Sequence, residues 1–228
     1  MGFLYDIWIG FFKKLTDEPR PNDFFPQYIK DAFFKMKWHR VYDFLEFIAS
    51  NYPSKHVVNE FVQACNVTLE REMSGYRFIG ITLVPITSEQ EIATIEEALN
   101  VSRQHTQHLE RALELLGDRK APDYRNSIKE SISAVEAMCQ LITGNKKATL
   151  GDGLRQLESK LGDMHPALRN AFNSLYGYSS DAQGIRHGFL GKSDLDVEDA
   201  KFMLIICSAF INYLAAKADK AGIELSQR

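Results

Sequence analysis

Residues 202–216, which read FMLIICSAFINYLAA, offer no polar face at helical spacing. A helix that is apolar nearly all round has to be enclosed by other helices or by lipid. The apolar run 203–216 is shorter than the ~20 residues that a bilayer crossing takes. The expectation is an inner helix of a helical bundle, in a chain that does not enter a membrane. Three further apolar stripes supply its neighbours. Ile128, Ile132, Val135, Cys139 and Ile142 step by four, three, four and three, and Gly144 follows them. Leu150, Leu154, Leu157 and Leu161 form the next stripe. Pro166 opens another, with Leu168, Phe172 and Leu175. An Asp at 194 or 196 would cap the last helix.

The front of the chain has a different character. Of 26 aromatic residues, 18 fall within the first 80. Leu4, Trp8, Phe11 and Leu15 predict an amphipathic first helix. Further helices are expected over 26–36 and 38–50, and a fourth on Val57, Phe61, Ala64, Val67 and Leu69, ending near Gly75. The period then changes. Residues 76–87 are rich in aromatic and β-branched types, so a small β-hairpin is expected, with Gly80 at a turn. Pro85 argues against a central strand there. Ser88 and Glu91 have capping-box spacing ahead of Ile92, Ile95 and Leu99. Polar residues 102–108 read as a break before a short helix on Leu109, Leu113 and Leu116. The polar stretch 118–122, ending in Pro122, is the best linker. The fold class is therefore mainly α, with a small β-hairpin in the N-terminal part and a C-terminal helical bundle.

Charge narrows the function. The formal net charge is −3. Residues 123–228 hold 13 basic and 13 acidic side chains, so the front part carries the excess. Dedicated duplex-DNA binders usually show a basic surplus, which this chain lacks. Cys65, Cys139 and Cys207 are odd in number and have no metal-like spacing. They read as reduced thiols in a cytoplasmic protein. Residues 1–15 are apolar, but Asp6 interrupts them and no small-residue cleavage site follows, so no leader is expected.

Phosphate-loop, dinucleotide, nucleophile-elbow and zinc-protease motifs are all missing. His105 and His108, with Glu110 nearby, have a spacing that can serve a metal, but no clear third ligand accompanies them, so no metal is expected. Lys146 and Lys147 read as a solvated loop. The pair Arg186-His187 is the most unusual feature. A guanidinium holds phosphate in a bidentate way, and an imidazole exchanges protons near neutral pH.

Three stretches around this pair resemble the HEPN-like C-terminal region of bacterial abortive-infection proteins. They are residues 172–188 (FNSLYGYSSDAQGIRHG), 123–136 (DYRNSIKESISAVE) and 207–214 (CSAFINYL). The front part resembles the N-terminal domain of AbiJ-type proteins, on Trp38, Tyr42, Asp43, Asn66, Glu70, residues 75–78 (GYRF) and residues 84–88 (VPITS) with Glu91 and Ile92. The implied division is an AbiJ-type helical domain with a short hairpin over 1–117, and a HEPN-like bundle over 122–228.

The resemblance implies a role in antiphage defence, a homodimer, RNA as target, a phage or host trigger, and no cofactor. Active HEPN members resemble metal-independent ribonucleases. Their motif is an Arg, a polar residue next to it, and then a His four to six residues further on. Arg186 and His187 match its start, but Gly191, Lys192 and Ser193 stand where the closing His should be. Two readings stay open. In one, Arg186 holds the phosphate and His187 acts on the ribose 2′-OH, with a second His187 supplied across a dimer. In the other, the pair is a relic that binds nucleotide or holds its loop, for example by pairing Arg186 with Asp181 or Glu136, and the bundle is a dimerisation or sensor module. Ser133, Glu136, Tyr178 and Asp181 are candidate supporting residues.

Overall fold

The structure is a computed structural model. It describes residues 2–14, 25–147, 151, 153, 156, 160, 164–181 and 195–225; of 25–26 and 178–181 only the backbone is described. The chain divides into two compact units, 1–83 and 84–228.

The first unit begins with α1, Phe3–Asp6, which runs on as a π-helical turn through Ile7–Phe11. The widened turn is closed by the Phe12 N–H on the Ile7 carbonyl at 3.1 Å. Gly10 is placed where a Cβ would meet the Phe47 ring at 2.7 Å, so the helix can approach its neighbour closely. Next come α2, Phe25–Lys35, α3, Trp38–Asn51, and α4, Lys55–Arg71. Helix α3 has two apolar faces. Phe44, Phe47 and Ile48 join Ile7, Phe11, Ile29 and Phe33 in one core cluster. Tyr42, Leu45 and Ala49 join Val58, Phe61, Leu69, Phe78 and Leu83 in another. The aromatic excess of the front segment is spent largely on the first cluster. The Phe11–Phe44, Phe12–Phe44 and Phe33–Phe44 ring centroids lie 4.8, 6.0 and 6.4 Å apart. Arg40 seals the end of α1. Its Nη2 donates to the Phe11 carbonyl at 3.0 Å, and its guanidinium lies 4.0 Å from the Phe11 ring.

The α4 stripe is turned by one position from the sequence reading. Val57 and Val67 are exposed, while Val58, Phe61, Val62, Cys65 and Leu69 face the core. Both sets step at helical spacing, so periodicity alone does not choose between them.

The hairpin is as expected, with β1 at Arg77–Ile79 and β2 at Thr82–Val84. Gly80, at φ +59°, occupies the turn. Strand β2 stops before Pro85. Side chains close both outer edges. Asn66 on α4 accepts from the Phe78 N–H at 2.7 Å and donates to the Phe78 carbonyl at 3.0 Å. Glu46 on α3 accepts from the Leu83 N–H at 2.7 Å. A two-stranded sheet thus satisfies edge groups that would otherwise have no strand partner.

The second unit contains α5, Glu89–Leu99, α6, Arg103–Gly117, α7, Tyr124–Thr143, α8, Pro166–Asp181, and α9, Val197–Lys220. Helix α7 packs on α6 and α9, and α9 also packs on α5 and α6. Helix α9 packs on three helices but is not enclosed all round as its composition led one to expect: Phe202 is 55% exposed, and Ala209 and Ala216 are exposed on the same side. Ala200, Met203, Leu204, Cys207, Ser208, Phe210, Ile211, Leu214 and Ala218 are buried. Its 24 residues exceed the apolar run within it, and by length and composition alone they would suffice to cross a bilayer. Asp196 caps α9 in a reciprocal capping box with Asp199. Ser88 caps α5, accepting from the Glu91 N–H. Gly144, at φ +73°, ends α7 in the left-handed conformation.

Three local expectations differ. The polar residues 103–108 are not a break: they form the first turns of α6, because His105 faces inward. The stretch 177–188, rich in Gly, Ser and Asp, reads as irregular, but its first five residues continue α8. The stretch 118–122 is a tight connection inside the second unit. Asp118 Oδ1 accepts from the N–H groups of Lys120 and Ala121, and the Asp123 N–H reaches the Leu115 carbonyl. The stripe on Leu150, Leu154, Leu157 and Leu161 lies outside the described residues.

Candidate functional site

Ser133 and Glu136 lie one turn apart on α7, both half-buried. The Ser133 hydroxyl donates to the Lys129 carbonyl at 3.0 Å, within its own helix. Glu136 lies near Cys139. Burial first, and the Glu136 charge second, push the Cys139 thiol up to about 12. Burial alone pushes Cys207 to about 12 and Cys65 to about 11. All three thiols are free and stay protonated near neutral pH, which suits packing rather than nucleophilic chemistry. Tyr178 and Asp181 are on the last turns of α8, and only their backbone is described. Arg186 and His187 lie outside the described residues.

The chain that carries Arg186 and His187 leaves α8 at its C-terminal end and rejoins at the start of α9. Between these two helices is an open cavity of about 580 Å³, lined by Ala171, Ser174, Leu175, Asp199, Phe202 and Met203. Ser133 and Glu136 are not among its lining residues. The cavity is apolar apart from Ser174 and Asp199. The Asp199 carboxylate already accepts from the Asp196 N–H at 3.1 Å.

The histidine pair is structural in its geometry. His105 Nε2 donates to the Ala98 carbonyl at 2.7 Å, so its Nδ1 accepts from the Ser102 hydroxyl at 3.0 Å. Burial holds its pKa below the usual histidine range. The nearby His108 pushes the same way, against the Ala98 bond. His108 Nδ1 pairs with Glu130 Oε2 at 2.6 Å, tying α6 to α7. Among the described residues no three His, Cys, Asp or Glu side chains are grouped to hold a metal ion.

Sequence reasoning passed over a second place, on the first unit. Trp38, at the first turn of α3, is 58% exposed, and Phe34 at the end of α2 is 77% exposed. The Trp38 ring centroid is 5.6 Å from Tyr42 and 6.1 Å from Tyr76, and Tyr42 is 5.4 Å from Tyr76. Ser74 pins this group. Its hydroxyl bonds the Tyr42 hydroxyl at 2.7 Å and accepts from the Tyr76 N–H at 3.2 Å. The available signal was the run 30–40, KDAFFKMKWHR, which interleaves aromatics with four Lys or Arg and a His against one Asp.

The architecture is thus an edge-capped hairpin with helices, followed by an all-helical unit. Residues 5–101 match the family model described as AbiJ N-terminal domain 4. The match supports an AbiJ-type N-terminal domain over that part of the chain and, with it, an abortive-infection, antiphage role. It extends beyond the first compact unit to the end of α5. No curated protein and no solved structure matches the chain.

Proposed function

We propose that the chain is an antiphage, abortive-infection protein whose second unit is a HEPN-like bundle acting on RNA as a metal-independent endoribonuclease. The observation that carries the defence role is the match of residues 5–101 to AbiJ N-terminal domain 4. Arg186-His187, in the chain between two bundle helices, supports the RNA chemistry. In this reading Arg186 binds the scissile phosphate and stabilises its growing charge. His187 removes the proton from the ribose 2′-OH, and the 2′-oxygen attacks the adjacent phosphorus. The bond to the 5′-oxygen of the next nucleotide breaks, and that oxygen takes a proton. His187 of a second copy would supply it, so that one imidazole starts neutral and the other protonated. The chain also keeps Ser133, Glu136, Tyr178 and Asp181 as candidate supports of the site, and acts in the cytoplasm on a phage or host trigger.

One observation favours a second reading. Gly191, Lys192 and Ser193 occupy the positions of the closing His. A chain so altered would serve as a non-catalytic dimerisation or sensor module. The test is incubation of the full chain with mixed cellular RNA in EDTA, beside an Arg186→Ala/His187→Ala variant. Cleavage by the parent and not by the variant supports the ribonuclease. Intact RNA in both, with a stable dimer in solution, supports the module.

A further inference from the structure

We infer that the Trp38 patch of the first unit is a binding site for single-stranded nucleic acid, with one base stacked on Trp38 and the neighbouring phosphate held by Arg77. The inference is independent of chemistry at Arg186 and His187. It rests on four properties of the patch.

First, Trp38 presents more than half of its surface to solvent while Tyr42 and Tyr76 brace it. An exposed indole braced in this way offers a base a π-surface at little ordering cost. Second, the brace is fixed by Ser74, whose hydroxyl serves both Tyr42 and Tyr76. Third, Arg77 is aligned beside it. Both N–H groups of its Nη1 are spent on the carbonyls of Ser74 and Tyr76, at 2.7 and 2.8 Å. Its Nε and Nη2 have no partner among the described residues. That free side of the guanidinium is the fork that takes a phosphate in a bidentate way.

Fourth, the surrounding charge suits a polyanion. Lys30, Lys35 and Lys37 are exposed and have no ion pair among the described residues. Of the acids, Asp43 faces Arg40 at 3.7 Å, Glu72 is paired with Arg71 at 2.9 Å, and exposed Asp31 accepts from Gln27 at 2.7 Å, so the run 30–40 keeps a basic excess without being free of negative charge. A protein hot spot would share the Trp and Tyr but is usually depleted in Lys, so the lysines favour nucleic acid. The chain as a whole is acidic, so binding has to be local rather than a broad electrostatic capture.

The test is fluorescence anisotropy of labelled oligouridine and oligothymidine of about 12 nucleotides, titrated with the full chain. An Arg186→Ala/His187→Ala background prevents cleavage. Both strands are expected to bind, and a blunt duplex of the same length to bind more weakly. Trp38→Ala is expected to weaken binding about tenfold, as for loss of one base stack, and Trp38→Phe to restore most of it. Arg77→Ala should weaken binding to a similar degree. Lys37→Ala should lower the slope of log K against log salt by about 1. Because Trp38→Ala also removes packing on Tyr42 and Tyr76, its melt is compared with the parent's. Lys37→Ala, at an exposed position, tests the same site without that cost. Failure of either strand to bind at low salt overturns the inference and leaves Trp38 as an anchor for a protein. Binding that is unchanged in both Trp38→Ala and Lys37→Ala also overturns it. RNA cleavage by the unmutated chain would stand in either case.

Discussion

Asn66 does for β1 what a third strand would do. Its amide gives and takes one hydrogen bond with the Phe78 backbone, which is fully buried on the side-chain side. Asn66→Ala leaves that N–H and carbonyl without partners. A loss of about 1–3 kcal/mol is expected, the cost of stranding a buried polar group. A urea or thermal melt of the full chain reads it. Asn66 was legible as a telling residue but not as an edge cap, because its partner is twelve positions away and the pairing is with backbone. Trp38 shows the converse. Its neighbours in sequence announced an aromatic, basic segment, but only the fold brings Tyr76 beside it.

At the scale of single helices, α6 carries a pH dependence. His105 is buried and neutral, donating to Ala98 and accepting from Ser102. Its pKa is lowered on folding, so the unfolded chain binds the proton more readily. The contribution to stability is complete above about pH 6.5, the ordinary histidine value. It declines as pH falls through that value and levels off below the lowered folded value. Urea midpoints between mildly alkaline and mildly acidic pH should therefore fall on the acid side, and His105→Gln should flatten that part of the profile. The same helix shows why polar residues mislead. Residues 103–108 read as a break because His, Gln and Thr dominate. Yet two of them, His105 and Thr106, bond backwards to residues 98 and 99 at the end of α5. Long apolar periodicities were readable without structure: α7 and α9 are where Ile128, Ile132 and Met203–Leu214 required them. The α4 stripe was not, since Val57 and Val58 satisfy helical spacing equally well and only packing on α3 and the hairpin selects Val58.

For the whole molecule, the compact units and the family match divide the chain differently. The units separate between Leu83 and Val84, while the match reaches residue 101. A boundary at 118–122 would part α6 from α7, and with it the Ser127 hydroxyl from the Ala112 carbonyl, 2.8 Å apart in a fully buried position. A fragment of residues 84–228 is expected to melt cooperatively by far-ultraviolet circular dichroism. A fragment of 122–228 should lose that cooperativity, since it lacks the α5 and α6 surfaces against which α7 and α9 are buried. A cooperative 122–228 fragment would instead support the later boundary. Within the first unit, the sharing of α3 between two aromatic and aliphatic clusters has a kinetic consequence. Neither cluster can come apart alone without baring one side of the same helix. Amide protons on both sides should then exchange through one common opening, with one opening free energy. Two small cores, each too modest to stand by itself, are bound into one cooperative foldon by the rod that runs between them.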